Sequence, residues 1–104
     1  MILGQTTPTA STDTLMYTVP ASKRAAFFVN FVNESGSNAA VEVYLLKSGE
    51  STPLTDVSLL DRRYIGDDTT YATDSYVLEA GQKVYVKVNK SNVRVNVNGF
   101  EEDV

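Results

Sequence analysis

Carboxylates are the side chains in this sequence with the best chance of acid–base chemistry. The chain has 13 Asp and Glu residues but no His and no Cys. His is the commonest general base and metal ligand and Cys the best nucleophile, so a catalytic triad cannot be assembled. A carboxylate pair can still hydrolyse a glycosidic bond, but the acids here lie in predicted turns and in the last residues, as solubility alone would place them. We therefore predict a protein that is not an enzyme and needs no cofactor.

Asp67 and Asp68 are the acids that most resemble a metal site. Two adjacent carboxylates without the regular ligand spacing of a calcium loop are a weak signal. The glycines are isolated, and no helical pattern follows any of them, so the sequence has no phosphate-binding loop. We predict neither a metal site nor a phosphate site.

A second set of residues has the composition of a protein contact. Arg62, Arg63, Tyr64 and Ile65 lie in a mixed-charge segment, residues 61–68, that we predict as a loop. Tyr and Arg are over-represented among interface anchors, which favours a contact loop. The alternative is a solvated loop in which Tyr64 or Ile65 packs back into the core, and both interpretations stay open.

Charge and hydropathy exclude several kinds of partner. The formal net charge is −4, and the nine basic residues are scattered, so we predict no nucleic-acid partner. The longest apolar runs fall far short of the roughly 20 residues that a spanning helix needs, so we predict no membrane association. The first residues lack the basic and long apolar regions of a secretory signal, and the absence of Cys suits a reducing cytoplasm.

The sequence pattern predicts that the elements which position the candidate contact residues are β-strands. From Ala25 to Val32 the side chains alternate between two faces, and both faces are largely apolar. Phe28 and Val32 lie on the second face. A strand of this kind is either covered on both sides by its own domain or buried on one side against another chain, which makes Phe28 a candidate contact residue.

The rest of the chain continues this pattern of short strands between turn residues. We predict strands at 15–19, 25–32, 39–46, 54–60, 69–78 (one strand, or two with a break near Asp74), 84–88 and 93–97, with hairpins joining 25–32 to 39–46, 69–78 to 84–88 and 84–88 to 93–97. Seven or eight such strands predict an all-β fold, a single antiparallel β-sandwich of jelly-roll or immunoglobulin-like form. We place the sandwich at residues 14–104.

Residues 1–13 are predicted as an extended N-terminal arm. They are rich in Thr and Ser and begin with the apolar tip Met1-Ile2-Leu3, which suits docking onto a neighbouring subunit. At the other end Phe100 precedes three acids and is predicted to pack on the core or on a neighbour. Met1, Ile2, Leu3 and Phe100 are therefore further interface candidates.

Two short motifs carry a family resemblance. Leu3-Gly4-Gln5, a spacer of Thr, Ser and Pro, and then LMYTVPASKRA from Leu15 resemble small virion proteins of tailed bacteriophages, including phages of cyanobacteria, which open with LGQ and carry a motif like LYTVPAGK. Ser22 stands where that family usually has Gly. The layout of most of the chain fits the family, although its specific part is short.

The resemblance implies a virion structural protein without catalytic residues. The leading expectation is a capsid decoration or cement subunit, located in the virion and assembled in the host cytoplasm. Its partner would be the major capsid protein or another virion protein, and it would form a homo-oligomer, with a trimer favoured because trimers suit capsid threefold axes. The alternative within the virion is a tail, neck, baseplate or fibre accessory protein. An alternative of another class is a carbohydrate-binding module that stacks sugars on Tyr17, Tyr64, Tyr71 or Phe100.

Overall fold

The fold consists of two antiparallel sheets packed face to face. The computed structural model describes residues 1–50 and 58–104, and most of the strand predicted at 54–60 lies outside these ranges. No helix in the described ranges is long and apolar enough to cross a membrane. The strands are β1 Ile2–Thr6, β2 Thr14–Thr18, β3 Lys23–Asn33, β4 Ala39–Leu46, β5 Leu59–Ile65, β6 Thr70–Ala72, β7 Tyr76–Glu79, β8 Lys83–Val88 and β9 Val93–Asp103.

The strand order identifies the sandwich as a jelly roll. One sheet, here called the β3 sheet, has the order β1-β9-β3-β6, with β7 also paired to β3; the other, the β4 sheet, has the order β2-β8-β4-β5. The pairs are nested along the chain, with β4·β5 innermost, then β3 with β6 and β7, then β2·β8, then β1·β9. This is one long hairpin rolled into two sheets. The predicted all-β sandwich is confirmed, and of its two predicted forms the strand order is that of the jelly roll.

The three predicted hairpins are wrong. Strands β3 and β4, β7 and β8, and β8 and β9 lie in opposite sheets, so each of these turns carries the chain across the core. The only strands adjacent in sequence that pair with each other, among the described residues, are β4 and β5. Period-2 alternation specifies which side chains face inward, but it does not specify which sheet receives the next strand.

The predicted alternation of faces is confirmed in the core. Ala25, Phe27, Val29 and Phe31 of β3 point inward and are at most 1% exposed. The valines of β8 and β9 meet them from both sheets, namely Val84, Val86, Val88, Val93, Val95 and Val97. Complete burial of side chains of this size contributes roughly 1.5–3 kcal/mol each, so these inner faces hold the sandwich together.

The central strand β3 organises its sheet. It pairs with β9 over its whole length on one side and with β6 and β7 on the other. Thr73 makes the break between β6 and β7, where its N–H donates to Val29 O at 2.9 Å and its hydroxyl accepts from Val29 N at 3.0 Å. The two-strand interpretation of residues 69–78 is therefore confirmed, with the break at residues 73–75, which include Asp74.

The first residues form part of the β3 sheet. Strand β1 pairs with β9, and Leu3 packs against the core. A Cβ built on Gly4 would lie 2.3 Å from the carbonyl oxygen of Met16, so β1 and β2 approach closely where the two sheets meet. An arm separate from the sandwich is not clearly shown for residues 1–13.

The turn before β3 suggests a stabilising substitution. Lys23 N donates to Pro20 O at 3.2 Å and closes a four-residue turn, and Ser22 within this turn has a φ of 62°. That left-handed conformation is costly for a residue with a Cβ and free for glycine, so Ser22→Gly is expected to stabilise the protein by about 0.5–1 kcal/mol despite the added freedom of the unfolded chain. Urea denaturation measures the change. Ser37→Gly, an exposed serine without positive φ, is the matched control, and equal effects of the two changes would contradict the explanation.

Candidate functional site

The outer face of the β3 sheet carries an exposed apolar surface. Ala26 lies between Val77 on β7 and Phe100 on β9, and in the next row Phe28 pairs with Asn98, which in turn pairs with Ile2 of β1. Ile2, Val77 and Phe100 are 55%, 62% and 60% exposed, and Phe28 is half-buried. We call Ile2, Ala26, Phe28, Val77 and Phe100 the outer patch.

A cavity of about 240 Å³ opens in the outer patch. Phe28 and Phe100 line it together with Ala26, Phe27, Ser75, Asn98 and Gly99. Gly99 allows the close approach of β9 to β3 beneath it, because a Cβ there would lie 2.0 Å from the carbonyl oxygen of Ala26. A cavity of this size accommodates one large apolar side chain from a partner.

Polar rows flank the outer patch on both sides. Toward one end of the sheet, Arg24 bridges to Glu102 at 2.7 Å, and Lys23 pairs with Asp103. Toward the other end, Asn30 faces Asn96 across the strand pair. An apolar centre within a polar rim is the arrangement of protein–protein contact surfaces.

The structure separates the predicted contact residues into two regions. Ile2, Phe28 and Phe100 come together in the outer patch, with exposed Met1 preceding Ile2, whereas Leu3 points into the core. The second face of β3 is thus only half-covered by its own domain, and the sequence allowed either full cover by the domain or burial against another chain. Val77 was missed, although the inward positions of Tyr76 and Leu78 on either side of it were a usable signal.

The other predicted contact residues lie on strand β5 in the β4 sheet. The loop predicted for residues 61–68 is wrong over its first five residues, because residues 61–65 pair with β4 as part of Leu59–Ile65. Ile65 is buried, as one of the two interpretations expected, and Tyr64 is 79% exposed. Arg62 bridges to Glu42 at 2.9 Å, and the guanidinium of Arg63 lies 5.4 Å from the centre of the Tyr71 ring.

The four aromatic residues considered for sugar stacking are dispersed. Tyr17 is buried and donates its hydroxyl proton to Glu101, and Tyr71 is half-buried against Phe31. Tyr64 and Phe100 are exposed but lie on different sheets. These side chains therefore do not form one stacking platform.

The carboxylates mostly serve as hydrogen-bond acceptors and ion-pair partners. Asp67 accepts from the backbone N–H of Gly36 at 2.9 Å. No group of three acidic, His or Cys side chains in the described ranges is placed to hold a metal ion. Glu101 and Glu42 accept from the hydroxyls of Tyr17 and Tyr44, so these acids hold phenols in place.

These two phenols predict a loss of stability in alkali. Burial, followed by the hydrogen bond to Glu42, raises the pKa of Tyr44 to about 12, and burial with the bond to Glu101 raises the pKa of Tyr17 well above its usual range. The folded state therefore retains these protons after the unfolded chain has lost them near pH 10, and stability falls as pH rises above that value.

The expected contribution from Tyr44 is roughly 2 kcal/mol, present below pH 10 and lost as pH approaches 12. Urea denaturation at pH 8, 10 and 11 measures it. Tyr44→Phe and Tyr17→Phe are each expected to flatten the alkaline slope, whereas Tyr64→Phe, at an exposed position, leaves it unchanged. Equal slopes in all three variants would contradict the assignment.

The candidate site is thus an apolar contact face on a jelly-roll sandwich. Comparison of the chain with known proteins finds no matching family model, no matching curated protein and no matching solved structure. The residues and their geometry therefore carry what can be said about function.

Proposed function

We propose that this chain is a non-enzymatic structural subunit of a bacteriophage virion, a capsid decoration or cement protein that binds the capsid lattice through the outer patch. The observation that carries the proposal is the exposed apolar face itself, with its cavity between Phe28 and Phe100. An exposed apolar face of this kind suits binding to another protein.

The energetics of the outer patch fit a structural contact. Ile2, Val77 and Phe100 are 55%, 62% and 60% exposed, and burying this remaining surface gains roughly 1–2 kcal/mol for each. The strands beneath are fixed by the ladder between β3 and β9, so little ordering cost opposes binding. Such a subunit would add buried area across neighbouring capsomers and so resist internal pressure.

The choice of a virion as the location rests on the sequence resemblance. The LGQ motif at Leu3 and the LMYTVP motif at Leu15 point to small virion proteins. The jelly roll is common among viral capsid proteins but also among lectins, so the fold is compatible with this choice without selecting it. A tail, neck, baseplate or fibre position would use the same outer patch on a different virion protein.

Binding to particles tests the proposal. Particles of the encoding phage that lack this protein are incubated with purified variants and sedimented. Phe100→Glu and Val77→Glu, both at exposed positions, are expected to weaken binding at least tenfold, because a charge would be buried without a partner. Leu15→Glu, an exposed apolar residue of the β4 sheet, is the matched control and keeps wild-type binding.

Two outcomes would overturn the proposal. One is wild-type binding by both outer-patch variants, which would show that the outer patch is not the binding surface. The other is failure of the wild-type chain to bind any particle, which would remove the virion role. Electron cryomicroscopy of saturated particles then distinguishes the positions, with density over the capsid shell expected and density on the tail supporting the alternative.

A further inference from the structure

Among the strands in residues 1–50 and 58–104, β5 pairs with β4 on one side only and is an edge of the β4 sheet. Its neighbour β4 lies between β5 and β8. Ala40 N of β4 donates to the Asn89 side chain at 2.7 Å and Ala40 O accepts from Asn89 N at 3.1 Å, so both backbone groups of Ala40 point toward β8 and away from β5. Ala40 pairs with Tyr64 in the register of β4 and β5. Because backbone groups alternate sides along a strand, Tyr64 and Arg62 direct their N–H and C=O groups away from β4, toward the free edge.

This edge also presents side chains to solvent. Arg62 and Tyr64 lie at alternate positions on the outer face of the strand, and Leu60, which is 37% exposed, lies where the register of β4 and β5 shifts. Tyr64 is the most exposed large hydrophobic residue in the described ranges. An edge strand with unpaired backbone groups is a template for pairing with another strand. The side chains decide which strand fits.

The sequence of β5 is nearly symmetric about Arg62. The strand reads LLDRRYI, so an antiparallel second copy centred on Arg62 sets Leu59 against Ile65, Leu60 against Tyr64 and Asp61 against Arg63. Two apolar pairs and one pair of opposite charges recur on each side of the centre. A twofold axis normal to the sheet requires this kind of self-complementary register.

We propose that β5 pairs antiparallel with β5 of a second copy of this chain, about a twofold axis at Arg62, so that two four-stranded β4 sheets become one sheet of eight strands. The free N–H and C=O groups of Arg62 and Tyr64 supply the backbone hydrogen bonds between the copies. The dimer does not depend on the proposed virion function, since the outer patch lies on the opposite sheet.

The charges favour this register. Arg63 lies 3.8 Å from Asp61 of its own chain, and its side chain is 61% exposed, so guanidinium N–H groups remain for Asp61 of the second copy. In the dimer, Asp61 of one copy and Arg63 of the other form a pair without backbone hydrogen bonds between them, and in such pairs the opposite side chains lie closest. The Arg62 side chains meet at the axis, but each is neutralised by its own Glu42.

The same charges select against other partners. Charged side chains on an edge discourage pairing with an arbitrary strand, because the charges meet no opposite partner there. A second copy brings a further carboxylate, Asp61, to each Arg63; Oδ2 of Asp61 accepts from the Tyr71 hydroxyl at 2.6 Å, so Oδ1 is the atom that makes the contact. The contact closes after two copies, whereas the trimer predicted from the sequence needs a different, heterologous surface.

Solution mass is the first test. Light scattering of the full chain is expected to give twice 11.4 kDa at micromolar concentration. Tyr64→Pro removes an N–H that faces the free edge and no bond to β4, so it is expected to yield a folded monomer at least tenfold weaker in association. Asp61→Lys and Arg63→Glu are each expected to weaken the dimer, and the double variant restores it, which a merely structural role of either residue would not produce.

Cross-linking tests the register. The chain has no Cys, so Arg62→Cys provides a single thiol. In the proposed dimer the two copies of position 62 have Cα atoms about 5.5 Å apart, within reach of a short bis-maleimide. Arg62→Cys is expected to cross-link to dimer at least tenfold faster than the control Lys90→Cys. Lys90 is exposed in the turn between β8 and β9.

Three results would each overturn the dimer. They are a wild-type monomer or trimer at all concentrations, a dimer that Tyr64→Pro leaves intact, and equal cross-linking at positions 62 and 90. Circular dichroism of each variant shows that the fold is kept. A wild-type chain that binds particles but is monomeric in solution would overturn the dimer and leave the proposed function standing, and a dimer that binds no particle would do the reverse.

Discussion

Replacing Gly99 with alanine is expected to destabilise the protein by about 3 kcal/mol, among the largest effects of any single methyl group in this chain. The added Cβ would lie 2.0 Å from the carbonyl oxygen of Ala26 and 2.7 Å from the Cα of Phe27. Both contacts are to backbone atoms, so no side-chain rotation relieves them. Strand β9 must move away from β3, which weakens the longest ladder of the fold.

Urea denaturation of Gly99→Ala measures this loss, and Gly36→Ala is its control. Gly36 has a φ of 88°, and a Cβ added to it would meet no atom within 4 Å, so alanine there costs only the backbone strain, about 1 kcal/mol. The comparison separates steric overlap from conformational preference. A Gly99→Ala variant as stable as Gly36→Ala would show that β9 yields without cost.

Gly99 also connects the fold to the candidate site. It lines the cavity between Phe28 and Phe100, so a strand displaced at this point moves the two aromatic rings apart. Under the proposed function, Gly99→Ala loses particle binding even where the domain remains folded, whereas Gly36→Ala keeps it. The close approach of two backbones is thus what holds the outer patch in shape.

The sequence predicts which face of a strand each side chain occupies better than it predicts which strands pair with each other. Alternation placed Phe27 and Phe28 on opposite faces of one strand, and the pattern of short strands predicted an all-β sandwich. It could not predict that β3 and β4 lie in different sheets, because the turn residues after Asn33 are equally compatible with a hairpin and with a crossing. Strand pairing is decided by long-range burial between elements far apart in sequence.

The candidate site was predictable in part for the same reason. Phe28 and Phe100 stood out as apolar residues that either the core or another chain could cover, but only the pairing of β3 with β9 brings them to one cavity. Val77 gains its place beside Ala26 through β7, a pairing that the predicted hairpin with β8 excluded. Tyr64 looked like part of a loop because Asp61-Arg62-Arg63 is polar, although edge strands carry charge for protection.

Replacing Asn33 with leucine is the second change expected to have a large effect, a loss of about 3 kcal/mol, because it removes four side-chain hydrogen bonds to buried and partly buried backbone groups. Asn33 is fully buried. Its side-chain amide donates to the carbonyl oxygens of Ser37, Ile65 and Gly66 at 2.9–3.2 Å, and its oxygen accepts from Ser35 N at 3.0 Å.

Thermal and urea denaturation measure the loss, with Asn38→Leu in the exposed part of the same turn as the control that changes stability little. Asn33→Asp gives a sharper test. A carboxylate beside three carbonyl oxygens is repelled, so the pKa of the new group rises in the folded state and stability falls as pH increases. This variant is therefore expected to be more stable at pH 4 than at pH 7, relative to wild type; the opposite order would contradict the bonding pattern.

The position of Asn33 makes its loss more than local. Its amide joins the end of β3 in one sheet to the end of β5 in the other, through Ile65. Because this polar link spans the two sheets, Asn33→Leu is expected to increase hydrogen exchange at Ser35 and along β5 more than at β1 and β2, at the opposite side of the sandwich. An equal increase in hydrogen exchange across the chain would mean that Asn33 stabilises the whole domain and not the ends of β3 and β5 in particular.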